Sequence, residues 1–272
     1  MKVLISTDIE GVAGVYHHEQ ARQGNPEYER ARLLMAHEAS AAIAGAFDAG
    51  ATEVLVNDSH GGFRNMPPDV LDARARVVQG KPRYLSMVAG VDEGVDAVCM
   101  VGYHSRAQGR GILAHTINGF AFAGIRFGDQ ELGEAGIYGA LAGEYGVPVV
   151  MGSGDDVFIS ENRALFPHAT FVETKKATGF NSGVSLSPEQ SRKAIRAGVV
   201  QALAARGNAS PLVFKGPQVV TLRTQSPMMA DLFCQWPTFE RVDGVTLRFN
   251  ADTVEAAVRM LNCCSAMSSM LR

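Results

Sequence analysis

The chain has 272 residues, 46% hydrophobic and 19% charged, which excludes a disordered or fibrous protein and allows one large or two modest domains with a full hydrophobic core. Its 28 acidic and 25 basic residues leave a formal charge of −3, without the basic excess of nucleic-acid or anionic-membrane binders, so the expected partners are small solutes or proteins. Asp8 comes too soon for a signal-peptide apolar region, the longest uncharged stretch, Gly111 to Ile125, carries His115, Thr116 and Asn118, and the cysteines (Cys99, Cys234, Cys263, Cys264) follow no disulfide or zinc spacing; the expectation is a soluble cytoplasmic chain with no membrane partner.

The first predicted element is Lys2 to Thr7, short, apolar and β-branched, ending before Gly11 and Gly14. Asn25-Pro26 then pairs a helix cap with proline at the first helical position. Met35, Ala39, Ala42, Ile43 and Ala46 recur at helical spacing, so the helix is predicted to about Asp48, with Gly50 as its left-handed C-terminal cap. Glu53 to Asn57 reads as a strand. Short apolar runs bounded by Gly, Pro or Asp predict further strands at Ala75 to Gln79, Ala97 to Tyr103, Val147 to Met151 and Thr170 to Glu173. Helices are predicted over Glu131 to Tyr145 and Pro188 to Arg206.

This alternation predicts an α/β layered domain over residues 1–210, built on a mostly parallel sheet with right-handed crossovers. Beyond it, Val219 to Arg223 and Val245 to Phe249 read as strands, and Pro227 to Phe233 and Thr253 to Leu261 as helices. They predict a smaller C-terminal α+β unit over residues 211–272.

In open α/β sheets ligands bind beyond the carboxyl ends of the strands. Three predicted strands deliver chemistry there: Ser6-Thr7-Asp8-Ile9-Glu10-Gly11, Asn57-Asp58-Ser59-His60-Gly61-Gly62, and Tyr103-His104-Ser105. Asp8 and Glu10, two apart, face one side of an extended chain, and carboxylates that close need a cation or a proton. Glu134 either complements its helix dipole or, if it faces the crevice, adds a further ligand. Asp, Glu and His ligands without thiolate suit two zinc ions or similar divalent metals.

The remaining signals are weaker. On spacing alone His115 reads as a packed turn residue, and His17, His18, His37 and His168 as surface residues. Gly152-Ser153-Gly154-Asp155-Asp156 reads as an anion cradle or a tight turn and lacks the Lys-Ser/Thr ending of a P-loop, and no G-x-S-x-G elbow is present. Gly133, Gly136, Gly139 and Gly143 crowd one predicted helix, where each glycine costs roughly 0.8–1 kcal/mol, so another segment must pack very close.

Ser6-Thr7-Asp8-Ile9-Glu10-Gly11 resembles the S-x-D-x-E-G signature of the DppA-type D-aminopeptidase family of zinc metallopeptidases. Asn57-Asp58-Ser59-His60-Gly61, Gly102-Tyr103-His104, Leu113-Ala114-His115-Thr116, Gly133-Glu134 and Gly154-Asp155-Asp156 follow in the family's order over nearly the whole chain. The resemblance implies two zinc ions per chain held by Asp8, Glu10, His60, His104 and Glu134, with Asp8 bridging and His115 catalytic. It also implies a ring-like homodecamer that encloses its active sites and cleaves N-terminal D-residues from short peptides. Where the family has Asn-Gly shortly before Gly-Glu, this chain has Gly128-Asp129-Gln130-Glu131-Leu132. The expectation is a zinc-dependent aminopeptidase acting on short peptides or amino-acid amides, in which Glu10 or His115 carries the proton to the leaving amine; covalent attack by His115 is a less economical alternative when an activated water is available. Hydrolysis of another amide or a phosphoester, and a non-catalytic metal- or peptide-binding oligomer, stay open at this point.

Overall fold

The computed structural model describes residues 1–272. Its first half runs β1 (Lys2–Thr7), α1 (His18–Ala21), α2 (Pro26–Asp48), β2 (Glu53–Asp58), β3 (Arg76–Val78), β4 (Ala97–Val101), β5 (Phe122–Phe127) and β6 (Gln130–Glu131). Then follow α3 (Glu134–Glu144), β7 (Val149–Asp155), α4 (Asp156–Asn162), β8 (Thr170–Gly179), β9 (Ser182–Ser185) and α5 (Pro188–Ala204). The chain closes with β10 (Gln218–Thr224), α6 (Pro227–Phe233), β11 (Glu240–Arg241), β12 (Thr246–Ala251) and α7 (Val254–Met267).

Seven strands form the main sheet in the order β3-β2-β1-β4-β7-β8-β9. All neighbours are parallel except β9, which returns antiparallel along β8. From β1 the chain builds outward through β2 and β3 on one side and through β4, β7 and β8 on the other. The strand order therefore reverses beside β1, and the crevice beyond Thr7 is where such a sheet takes ligands.

Both faces of this sheet are covered, as a parallel sheet requires. Along β1, Val3 and Ile5 enter a core of 30 buried residues shared with α2 and α5, while Leu4 enters a core of 41 on the opposite face. The second core joins the main sheet to α3, α7 and a five-stranded antiparallel sheet of order β11-β12-β10-β5-β6. Asn25 caps α2 by accepting from the Tyr28 amide at 3.0 Å, with Pro26 at the first helical position, as its sequence predicts.

Three differences from the sequence expectations have physical causes. First, the second sheet is not confined to residues 211–272: β5 and β6 lie well before that span, and β5 pairs with β10. Second, the helix expected from Glu131 begins at Glu134, because Gln130 and Glu131 fold back on β5 through the two-residue turn Gly128-Asp129, with Gly128 at φ +55°. Third, Gly152 to Asp155 continues β7, and Asp155 caps α4 by accepting from the Phe158 amide at 2.8 Å, so this stretch is neither a turn nor an anion cradle. The glycines of α3 do admit close neighbours. A Cβ on Gly139 would lie 2.4 Å from the Phe166 ring, and one on Gly143 would lie 1.9 Å from the Leu212 carbonyl oxygen. No helix is long and apolar enough to cross a membrane, and all four cysteines are free.

Candidate metal centre

The exits of β1, β2 and β4 are tied together by backbone hydrogen bonds. The Asp8 amide donates to the Val101 carbonyl at 2.8 Å, the Gly11 amide to Gly102 at 2.7 Å, and the Ser59 amide to Thr7 at 3.0 Å. The approach is so close that a Cβ on Gly11 would sit 1.9 Å from the Tyr103 carbonyl oxygen, and Gly102 turns out of β4 at φ +73°. Asp58 organises the loop after β2: it accepts from the Asn65 and Met66 amides at 2.6 and 2.8 Å, and the Asn65 side chain in turn donates to the His60 carbonyl at 2.6 Å.

Asp8, Glu10, His60, His104, His115 and Glu134 are brought together by these connections and by the start of α3. His60 Nδ1 lies 3.1 Å from both Asp8 Oδ1 and Glu10 Oε2. His104 Nε2 lies 3.3 Å from Asp8 Oδ2 and 3.4 Å from Glu134 Oε1. His115 Nε2 lies 3.6 Å from that same Glu134 oxygen, which also accepts from the Ile117 amide at 2.6 Å. Each imidazole turns its other nitrogen to a backbone carbonyl: His60 to Ala21 at 2.7 Å, His104 to Ser105 at 2.9 Å, and His115 to Leu113 at 2.9 Å. Metal-binding histidines are oriented in this way, the carbonyl fixing both tautomer and ring plane.

The cluster balances buried carboxylates against imidazoles. Burial pushes the Asp8 carboxyl up, and the adjacent Glu10 carboxylate adds to that, against His104 and His60. Burial would raise Glu10 as well, but His60, His115 and His104 hold it well below the usual carboxylate range. Burial alone would lower the histidines. Glu10 and Asp8 instead raise His60 well above an ordinary imidazole, and Glu134 and Asp8 do the same for His104.

The donor set fits a divalent cation. Donor atoms of Asp8, Glu10 and His104 lie within 4.8 Å of one another, as do those of His104, His115 and Glu134. Glu10 Oε2 and His104 Nε2 are buried without a hydrogen-bond partner, a costly arrangement that a metal ion would relieve. Carboxylate and imidazole donors without thiolate suit zinc.

The site opens into a cavity of about 800 Å³ lined by Asp8, His60, His115 and Glu134 but not by Glu10 or His104. His115 is the most exposed of the six, at 25% of its side chain, against 5% for Glu10. His18, His37 and His168 are exposed, as expected, whereas His17 caps α1.

Sequence reasoning missed the residues that brace the ligand loop. Lys175 is buried, and its ammonium donates to the carbonyls of Glu10, Val12 and Val15. Thr174 Oγ1 donates to the Gly11 carbonyl at 2.6 Å. Glu38 Oε1, from α2, accepts from the Ala13 amide at 3.1 Å and the Ser191 hydroxyl at 2.7 Å. Burial pushes the Glu38 carboxyl up to about 7 and the Lys175 ammonium down to about 8. The only sequence signal for Lys175 was a charged residue at the end of an apolar run.

Comparison with known proteins places the chain among D-aminopeptidases. A family model described as D-aminopeptidase matches residues 1–263. A D-aminopeptidase of Bacillus subtilis (strain 168) is 33% identical over 263 residues, covering 96% of each chain. Among solved structures, the Zn-dependent D-aminopeptidase DppA from Bacillus subtilis, described as a self-compartmentalizing protease, superposes with a TM-score of 0.95 at 30% identity, covering 99% of this chain and 98% of that one.

Proposed function

The chain belongs to the D-aminopeptidase family, and on that premise we propose that it is a zinc-dependent aminopeptidase that removes N-terminal D-amino acids from short peptides. The observation that carries this is the six-residue cluster at the switch point of the sheet, opening through His115 onto a cavity.

Two zinc ions per chain are proposed, one held by Asp8, Glu10 and His60 and the other by Asp8, His104 and Glu134. Asp8 would belong to both sets, its Oδ1 lying nearest His60 and its Oδ2 nearest His104. When bound, the metal pair supplies Lewis acidity and charge neutralisation for attack of water on the scissile carbonyl. The remaining work falls to the side chains. His115 presents Nε2 to the cavity, with its Nδ1–H held by the Leu113 carbonyl, and carries the proton from the attacking water to the leaving amine. Glu10, the other candidate for that role, is buried away from the cavity and serves as a ligand. Covalent attack by His115 has no supporting feature beyond its position.

A closed homo-oligomer, by family likeness a homodecamer, is proposed as the working form. It is supported by the self-compartmentalizing relative, by Tyr84 and Val184, each 69% exposed, and by the open edge of β9. Free cysteines throughout suit a reducing cytoplasm. The deciding experiment is a panel of matched D- and L-dipeptides and a phosphoester offered to the zinc-loaded protein. Turnover is expected only for peptides, with the N-terminal D-residue preferred, and hydrolysis of the phosphoester alone would overturn the reading.

A further inference from the structure

The cavity at the metal centre is electrostatically divided. Its floor carries the carboxylates Asp8 and Glu134, and its walls carry three cations, Lys81, Arg83 and Arg272. None of the three is paired with a carboxylate of the chain. The Arg83 guanidinium lies over the Phe63 ring at 4.0 Å and donates from Nη2 to Asn57 Oδ1 and the Asp58 carbonyl, both at 2.6 Å. Nη1 donates to the Val78 carbonyl at 3.2 Å, so every hydrogen bond the guanidinium makes goes to a neutral acceptor, while its buried Nε–H has no partner, and it contributes a fixed, half-buried positive charge. Lys81 stands 5.6 Å from the same ring and gives one N–H to the Gly61 carbonyl at 2.9 Å, which leaves two donors of its ammonium free. Arg272 stacks on Phe120 at 4.9 Å across the cavity.

An exopeptidase grips the amino end of its substrate, and the far end of a short peptide is an anion. A dipeptide or tripeptide spans roughly 7–11 Å when extended, which a cavity of about 800 Å³ accommodates whole. We propose that Lys81, backed by the charge of Arg83, binds the C-terminal carboxylate of the peptide, so that the site selects di- and tripeptides with a free carboxylate over their amides and over longer chains. The subsite deepens the aminopeptidase reading and rests on it. Arg83 is a positioning residue here, since both its terminal nitrogens are engaged by neutral acceptors and its Nε is buried, whereas Lys81 touches the substrate.

The test compares a D-alanyl-D-alanine acid with its C-terminal amide, two substrates that share the N-terminal residue and the scissile bond. In the zinc-loaded wild-type protein the acid is expected to have the lower KM. In Lys81→Met, which keeps the aliphatic stem beside Phe63, KM for the acid should rise about tenfold at nearly unchanged kcat, while kcat/KM for the amide moves less than twofold. Lys81→Arg should restore most of the loss. Calorimetric binding of the acid and the amide to metal-free protein supplies a readout independent of turnover and should show the same loss for the acid alone. Equal effects of Lys81→Met on acid and amide, or a wild type indifferent to the carboxylate, would overturn the subsite and leave the peptidase reading standing. Failure of the zinc-loaded wild type to cleave either substrate would overturn the peptidase reading and the subsite with it.

Discussion

His115 lies flat against His104, ring centroids 4.1 Å apart and planes 9° from parallel. The two rings share the Glu134 oxygen, yet only His115 reaches the cavity. Stacking thus makes His104 the support of His115 and leaves only one of the two rings facing the cavity.

Substituting each ring tests the two residues separately. His104→Ala should lose metal and activity together, because it removes a proposed ligand and leaves Asp8 and Glu134 poorly compensated. His115→Ala should retain metal and fold while kcat falls roughly 10²-fold or more, with KM less affected. Metal content, melting temperature and kcat measured on one preparation of each variant check both outcomes. Loss of metal in His115→Ala would make that residue a ligand.

Chelation should abolish peptide hydrolysis, and added zinc should restore it. Elemental analysis of the restored protein is expected to give close to two zinc ions per chain. Full activity in rigorously metal-free protein contradicts the mechanism.

Glu38 gives stability a defined pH dependence. Its folded pKa of about 7 stands above the ordinary 4.5, so between those values the folded chain holds a proton that the unfolded chain has released. This contribution is therefore fully present below pH 4.5 and is lost as pH rises through 7, on the order of 3 kcal/mol in total. Glu38→Gln keeps the acceptor for Ala13 and Ser191 but cannot ionise. Denaturant unfolding at pH 5 and pH 8 should show the variant losing less stability than the wild type over that interval.

Lys175→Met should leave the Glu10 and Val15 carbonyls without their donor, the Val12 carbonyl keeping the Val15 amide, and lower stability by about 2–3 kcal/mol. It should also weaken zinc binding, since those carbonyls belong to the loop that carries Glu10. A competition titration with a chromogenic chelator reads the affinity, and unchanged affinity would confine Lys175 to a structural role.

Sedimentation velocity at micromolar concentration is expected to show one large closed species rather than monomer. A stable active monomer would remove enclosure from the account of short-peptide selectivity.

Four of the proposed ligand positions were legible because each follows an apolar strand run, where residues can be counted off from a buried segment. His115 was legible only through likeness to the family. Its loop between β4 and β5 passes through left-handed backbone at Leu113 (φ +55°) and Ile117 (φ +61°), which apolar patterning does not foretell. Lys175 was illegible for a different reason. The pairing of β7 with β8 shifts register between Gly154 and Asp155, and such an irregularity re-aims a side chain inward at a point where alternation gives no warning. β5 escaped because Gly124 interrupts its apolar run and its stabilising partner β10 begins only at Gln218, so the strand is defined by tertiary pairing rather than by local preference.

The pairing of β5 with β10 also ties the site to a part of the chain made much later. β5 lies between His115 and Glu134 in the chain, and β10 is synthesised some ninety residues later. A ribosome-bound chain has thus already made every proposed ligand and the cavity histidine while β5 still lacks its partner strand. Fragments that end before Gln218, whether from premature termination or from trimming of the C-terminus, carry the full set of active side chains without the scaffold that aligns them. Fragments lacking β10 are in this way expected to cut peptides poorly, because β5, which joins His115 to Glu134, has lost its pairing strand.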